Sequence, residues 1–291
     1  MGQALGELYN LEDYCAAGTA VHEGVIPVAK THALRYISFE PPRKPSYPPV
    51  VFVAGWISQI EAWQIVLRDM TRDFHVYYVE TRDKNSAVIT GKVNDYSVAA
   101  LGEDLAAAVE NFGFGDDGFI MFGSSLGGTS ILDCSTRLPA RPLALVLIGP
   151  NAEFRFPLGG RAAVRLFPPR LYVLLRPYIK WYLRTFRLDV KTDRAQYLKY
   201  CRALDAADPW KLKKGALSLM RYTIWDQLDG NAIPSLIIGG SHDILHEPGN
   251  LMRMVDELEN GAYLDLKTNR ETHSAGMVDH MRGFIDKLSA I

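Results

Sequence analysis

Gly123-Ser124-Ser125-Leu126-Gly127-Gly128 follows the apolar run Phe119-Ile120-Met121-Phe122 and precedes a stretch able to form a helix to about Thr136. A G-x-S-x-G match between a strand and a helix puts Ser125 at a sharp turn, where its hydroxyl can stand clear of the backbone as a nucleophile. Glycines at 123, 127 and 128 suit such a turn because little room remains beside it for side chains. By itself the pattern is common, and a serine in a Gly-rich turn is usually only a turn residue. Ser124 is a neighbouring candidate, but the glycine at 127 favours Ser125.

Outward from this turn, apolar strands and amphipathic helices alternate. Val50-Val51-Phe52-Val53-Ala54 is nearly all apolar, the type buried on both faces of a parallel sheet. Further strands are expected over Val25–Ala29 and Leu34–Phe39, read as edge strands, and over His75–Val79, Leu143–Ile148, Ser235–Ile238 and Ala262–Leu266. Helices are expected over Glu61–Met70, Tyr96–Phe112 with Asp95 as its cap, Glu247–Leu258 and Gly276–Leu288. The alternation predicts an α/β fold, a mostly parallel sheet flanked by helices. It breaks between Asn151 and Ile233, where the sequence favours helices interrupted by prolines. The expected organisation is therefore a core of residues 1–150 and 234–291, with a helical cap of residues 151–233 inserted after the sixth strand and lying over the sheet's carboxyl edge.

Composition narrows the function classes. At 291 residues, 48% hydrophobic and 22% charged, the chain has the balance of a globular protein with a full core. Lys+Arg of 32 against Asp+Glu of 33 offers no global attraction for nucleic acid, and no nucleic-acid partner is expected. Cys15, Cys134 and Cys201 form neither a zinc-ligand pattern nor a disulfide framework, and Cys134 reads as a small buried hydrophobe. No run approaches a membrane span and no apolar leader is visible, so a cytoplasmic location is the expectation.

Asp243 lies in Gly239-Gly240-Ser241-His242-Asp243, just after a late strand, and His273 precedes the last helix. Either residue alone reads as an ordinary loop residue. In the order Ser125, Asp243, His273 they can supply nucleophile, acid and base. With Val53-Ala54-Gly55-Trp56 after the first buried strand, these motifs make the sequence similar to the α/β-hydrolase superfamily, specifically to capped members with a serine nucleophile, over most of its length. The resemblance implies an acyl-enzyme mechanism with Ser125, Asp243 and His273 catalytic and the backbone N–H groups of Trp56 and Leu126 as the oxyanion hole. Two departures stand out. Ala54 occupies a position where the family usually has histidine, and the loop that is often glycine-rich in the family reads Glu80-Thr81-Arg82-Asp83-Lys84-Asn85, which suggests a solvated loop.

His280 is a less suitable base because it sits inside the last predicted helix, while His242 and His246 could line a pocket. A metal site built from these histidines and Asp243 is an alternative, but the triad explains the positions better; neither metal nor cofactor is expected. Between Asn151 and Tyr200 there are eleven Arg and Lys against three acids, interleaved with aromatic and aliphatic residues. That mixture can cradle an amphiphilic acyl substrate, contact an anionic membrane peripherally, or merely pack the cap on the core. The expected activity is hydrolysis of a carboxylic ester or related acyl bond on a small hydrophobic or amphiphilic substrate. Acyl transfer, thioester cleavage and non-catalytic ligand binding are the alternatives.

Overall fold

In the computed structural model, residues 10–115, 118–155, 159–188, 190, 194–242 and 247–290 are described. Among the described residues nine strands form one sheet: β1 Ala20–Ala29, β2 His32–Glu40, β3 Val50–Val53, β4 Val76–Val79, β5 Val88–Ile89, β6 Ile120–Ser124, β7 Ala144–Ile148, β8 Ser235–Gly239 and β9 Gly261–Asp265. Their order is β1-β2-β4-β3-β6-β7-β8-β9, with β5 on β2. β1, β2 and β4 pair antiparallel, and every pairing from β4 to β9 is parallel. β2 is an interior strand rather than an edge, since it pairs with β1, β4 and β5. Because β5, only two residues long, is too short to show a strand pattern in the sequence, the helical insertion follows the seventh strand of the chain rather than the sixth.

The unbroken apolar runs predicted for the central strands have a direct cause. Val50, Phe52, Phe122, Val146 and Ile238 point to one face, beneath helices α1 Gln64–Met70 and α10 Ala275–Ser289. Val51, Val53, Met121, Leu145, Leu147 and Ile237 point to the other, beneath α2 Val98–Phe112, α3 Leu126–Cys134 and α8 Pro248–Glu257. Alternate side chains thus feed two cores, so polar positions have no face to occupy. Each fully buried aliphatic or aromatic side chain contributes about 1.5–3 kcal/mol.

Between β7 and β8 lie α4 Gly160–Leu166, α5 Tyr172–Tyr182, α6 Arg194–Ala206 and α7 Pro209–Leu219. Pro168 and Pro169 separate α4 from α5, and a π-helical turn, Leu183–Arg187, extends α5. A short helix, α9 Asn269–Thr272, precedes α10. The start of α2 differs from the expected Tyr96: Ser97 is its N-cap, accepting from the Ala100 N–H, and Asp95 supports the cap by accepting from the Ser97 N–H. The shorter serine side chain reaches the exposed helix N–H, while Asp95 closes the turn before it.

Candidate functional site

Ser125 stands between β6 and α3 with φ 50° and ψ −122°. Non-glycine residues avoid this conformation, and surrounding contacts must hold it. The Ser125 N–H donates to the Ile148 carbonyl at 2.8 Å, and the Ser125 carbonyl accepts from the Thr129 N–H at 2.9 Å. Gly127 lets α3 pass the end of β3: a Cβ there would lie 2.7 Å from the Ala54 carbonyl oxygen. Gly55 is set less tightly but still close, since a Cβ would meet Ser125 Cβ at 3.1 Å. The glycines of the two motifs therefore bring the β3 loop against the serine.

Ser125 Oγ donates to Asn151 Oδ1 at 2.9 Å. Asn151 is fixed in turn by its N–H, which donates to Thr129 Oγ1 at 2.7 Å. The sequence offered no sign of this contact, because Asn151 belongs to no motif and only the parallel pairing of β6 with β7 brings it alongside the serine.

His273 follows α9, whose N-terminus is closed by a capping box between Thr268 and Glu271. Its Nδ1 lies 2.9 Å from the Asn269 carbonyl oxygen and 3.0 Å from Thr272 Oγ1. A carbonyl can only accept, so Nδ1 carries the proton and Nε2 keeps its lone pair in the neutral ring. The ring stacks on Trp63 with centroids 4.4 Å apart, and Trp63 Nε1 donates to Ser58 Oγ at 3.3 Å. Ser125, His273 and Trp56 line one cavity of about 580 Å³. Asp243 and His246 lie outside the described residues. His242 is exposed with its N–H on the Lys267 carbonyl, and His280 is exposed on α10. Cys134 is buried, which pushes its thiol up to about 12 and leaves it an unreactive core residue.

The loop after β4 corrects the expectation of a solvated segment: Glu80, Thr81, Arg82, Asp83 and Lys84 are all buried. Each charge has a partner. Glu80 pairs with Arg35 at 3.2 Å. Arg82 grips Asp104 of α2 with two N–H groups at 2.6 and 2.7 Å, and His32 Nε2 reaches the same carboxylate at 2.9 Å. Lys84 Nζ donates to the Gly55 carbonyl at 2.7 Å, and Asp83 accepts from the Ile57 N–H at 3.2 Å. Thr81 Oγ1 closes the group by donating to Asp83 at 2.5 Å. Asp83 and Lys84 thus hold residues 55–57, the segment that follows Ala54, where the resemblance leads one to expect histidine. In a trans peptide the C=O and N–H point in opposite directions. Fixing the Gly55 carbonyl on Lys84 therefore turns the Trp56 N–H the other way. Leu126 opens α3, so its N–H has no acceptor within the helix.

The cap completes the cavity. Ile179 and Leu183 from α5 and its extension, with Ala203 and Leu204 from α6, supply apolar wall; Arg187 and Arg202 bring cations to it. Core and cap are tied by lysines. Lys214 Nζ donates to the Val93 carbonyl at 2.7 Å, Lys199 Nζ to the Ala62 carbonyl at 3.3 Å, and Lys211 Nζ to the Lys84 carbonyl. Burial lowers the Lys211 pKa, the cost of placing an ammonium beside this junction. Leu219 of α7 packs with Leu126, Leu101 and Val98, and Trp56 lies against the same cluster.

No protein-family model and no curated protein matches the sequence. Solved structures match nearly its whole length. A thermophilic esterase from Thermogutta terrifontis, with malate bound, is similar at TM-score 0.72 and 16% identity, covering 92% of this chain and 99% of that one. An enol-lactonase from Burkholderia xenovorans LB400 is similar at TM-score 0.72 and 15% identity, covering 91% and 100%. A membrane phospholipase A, described as a bacterial virulence factor, is similar at TM-score 0.68 and 18% identity, covering 94% and 88%. At these identities what is shared is the fold, an open and mostly parallel sheet flanked by helices. The chain has the α/β-hydrolase fold.

Proposed function

We propose that the protein is a serine hydrolase that cleaves a carboxylic ester or related acyl bond through an acyl-enzyme. The observation that carries this reading is the strained Ser125, set at the end of β6 in the same cavity as His273. In the resting protein the hydroxyl is held by Asn151. On substrate binding Ser125 Oγ attacks the acyl carbonyl while His273 Nε2 takes the proton, a role for which its neutral tautomer is set. Asp243 is the proposed acid that stabilises the imidazolium. Negative charge on the carbonyl oxygen is received by the N–H groups of Leu126 and Trp56, the second held in direction by Lys84 on the Gly55 carbonyl. His273 then protonates the departing alcohol or thiol, and a water activated by the same imidazole releases the acid. Apolar walls with cations beside them suit a hydrophobic acyl chain on a polar or anionic body.

Hydrolysis of p-nitrophenyl esters of increasing chain length tests this, with a fluorophosphonate as a covalent probe. Wild-type turnover should fall by at least about a thousandfold in Ser125→Ala, with labelling abolished. Turnover that survives in Ser125→Ala, or a wild type that neither turns over nor is labelled, overturns the reading.

A further inference from the structure

The outer side of the cap is built like a surface awaiting a partner. On α5, Leu174, Tyr178 and Trp181 recur at i, i+4 and i+7, so they share one face. That face is turned to solvent: Leu174 is 73% exposed, Tyr178 60% and Trp181 50%. Phe186 adds to it, its ring 5.6 Å from Trp181, which is itself 5.5 Å from Tyr178. Val173 and Leu171 flank the ridge, and Leu166 of α4 is more exposed still, at 82%. The opposite side of α5 is already used, with Tyr172 buried and Ile179 on the cavity wall. The helix is thus apolar on both sides, which water alone does not favour.

Charge identifies the partner. From Gly160 to Leu188 the sequence has seven Arg and Lys and no Asp or Glu. Arg176 and Lys180 are turned inward onto Asp205 at 3.1 and 2.7 Å. Arg165, Arg170 and Arg184, from the same stretch of chain, are exposed. Two copies of such a face would bring cations onto cations, which opposes a symmetric dimer. Among the described residues no helix is long and apolar enough to cross a membrane.

We infer that this face docks on an anionic lipid bilayer, with Leu174, Tyr178, Trp181 and Phe186 entering the headgroup boundary and Arg165, Arg170 and Arg184 meeting lipid phosphates. Exposed aromatics on a helix, with exposed arginines in the same stretch of chain, match that interface. Docking requires no turnover at Ser125. It does set the bilayer about one helix diameter, roughly 10 Å, from the cavity that Ile179 and Leu183 line.

Flotation of the full chain with vesicles tests it, comparing phosphatidylcholine alone with vesicles containing about 30 mol% phosphatidylserine. The wild type should float with the anionic vesicles at about 0.1 M NaCl and largely detach at about 0.5 M. Arg170→Gln with Arg184→Gln should weaken binding about thirtyfold, from roughly a tenfold or lesser loss per arginine. Leu174→Ser with Trp181→Ser should weaken it at least about tenfold. Both variants should retain wild-type melting temperature, which separates lost docking from lost folding. A wild type that floats with neither vesicle overturns the proposal, as does unchanged binding of the Leu174→Ser, Trp181→Ser variant. Sedimentation showing a dimer that Trp181→Ser dissociates, without vesicle binding, assigns the face to a second copy instead.

Discussion

The loop after β4 and the outer face of α5 invert the usual rule in opposite directions. Arg82, Asp83 and Lys84 carry charge and are 4–5% exposed; Leu174 and Trp181 are apolar and at least half exposed. The loop can be buried because each charge meets an opposite charge or a backbone group within hydrogen-bond reach. Desolvating those charges is costly, and their mutual contacts do little more than offset the cost. What such an arrangement gains is direction: Arg82 fixes the start of α2 and Lys84 fixes the peptide beside Ser125. The helix face has the reverse problem, since no part of the described chain covers it. Buried charge marks where the protein must be rigid, and exposed apolar surface marks where something else is to bind.

The largest effect should follow from breaking the buried charges. Asp104→Ala leaves Arg82 and His32 without their shared carboxylate and should destabilise by about 3–5 kcal/mol in urea unfolding. A loss under about 1 kcal/mol would mean that the network is replaceable by water. Next in size is Lys84→Met, which leaves the Gly55 carbonyl to the Ser58 N–H at 3.1 Å. Its kcat should fall about ten- to a hundredfold with KM changed less than about threefold, because misdirecting a donor weakens transition-state binding more than substrate binding. Equal losses in kcat at Lys84→Met and Thr81→Val would reduce Lys84 to a packing role, since Thr81 touches the same network without touching Gly55. Smallest should be Leu174→Ser with Trp181→Ser, within about 0.5 kcal/mol of wild type, as expected for surface positions. A loss above about 2 kcal/mol would show that this face is packed in the free protein, and the contrast between the two regions would collapse.

Much of the frame is legible in the sequence. Val50–Val53 and Ala144–Ile148 reveal buried parallel strands because both their faces need apolar side chains, and Gly127 signals a close approach that only a missing Cβ permits. Strand and helix boundaries were less accurate where polar side chains share the work, as at Ser97 and Asp95. Asn151 was not legible at all, being an unremarkable residue that meets Ser125 only through the pairing of β6 with β7.

By itself the sequence determined the fold class and the turn carrying Ser125, since hydrophobic periodicity and glycine spacing are local properties that backbone geometry reads directly. Tertiary structure alone decided the states of two stretches whose composition misleads. Glu80–Lys84 is as charged as any surface loop, yet its partners fall within reach only after folding: Gly55 lies 29 residues before Lys84 and Asp104 lies 22 residues beyond Arg82. Leu174, Tyr178 and Trp181 are as apolar as any core stripe, yet the inner side of α5 is the side that meets the cavity and Asp205. Burial is a property of the assembled neighbourhood, and no single stretch of chain contains its own neighbours.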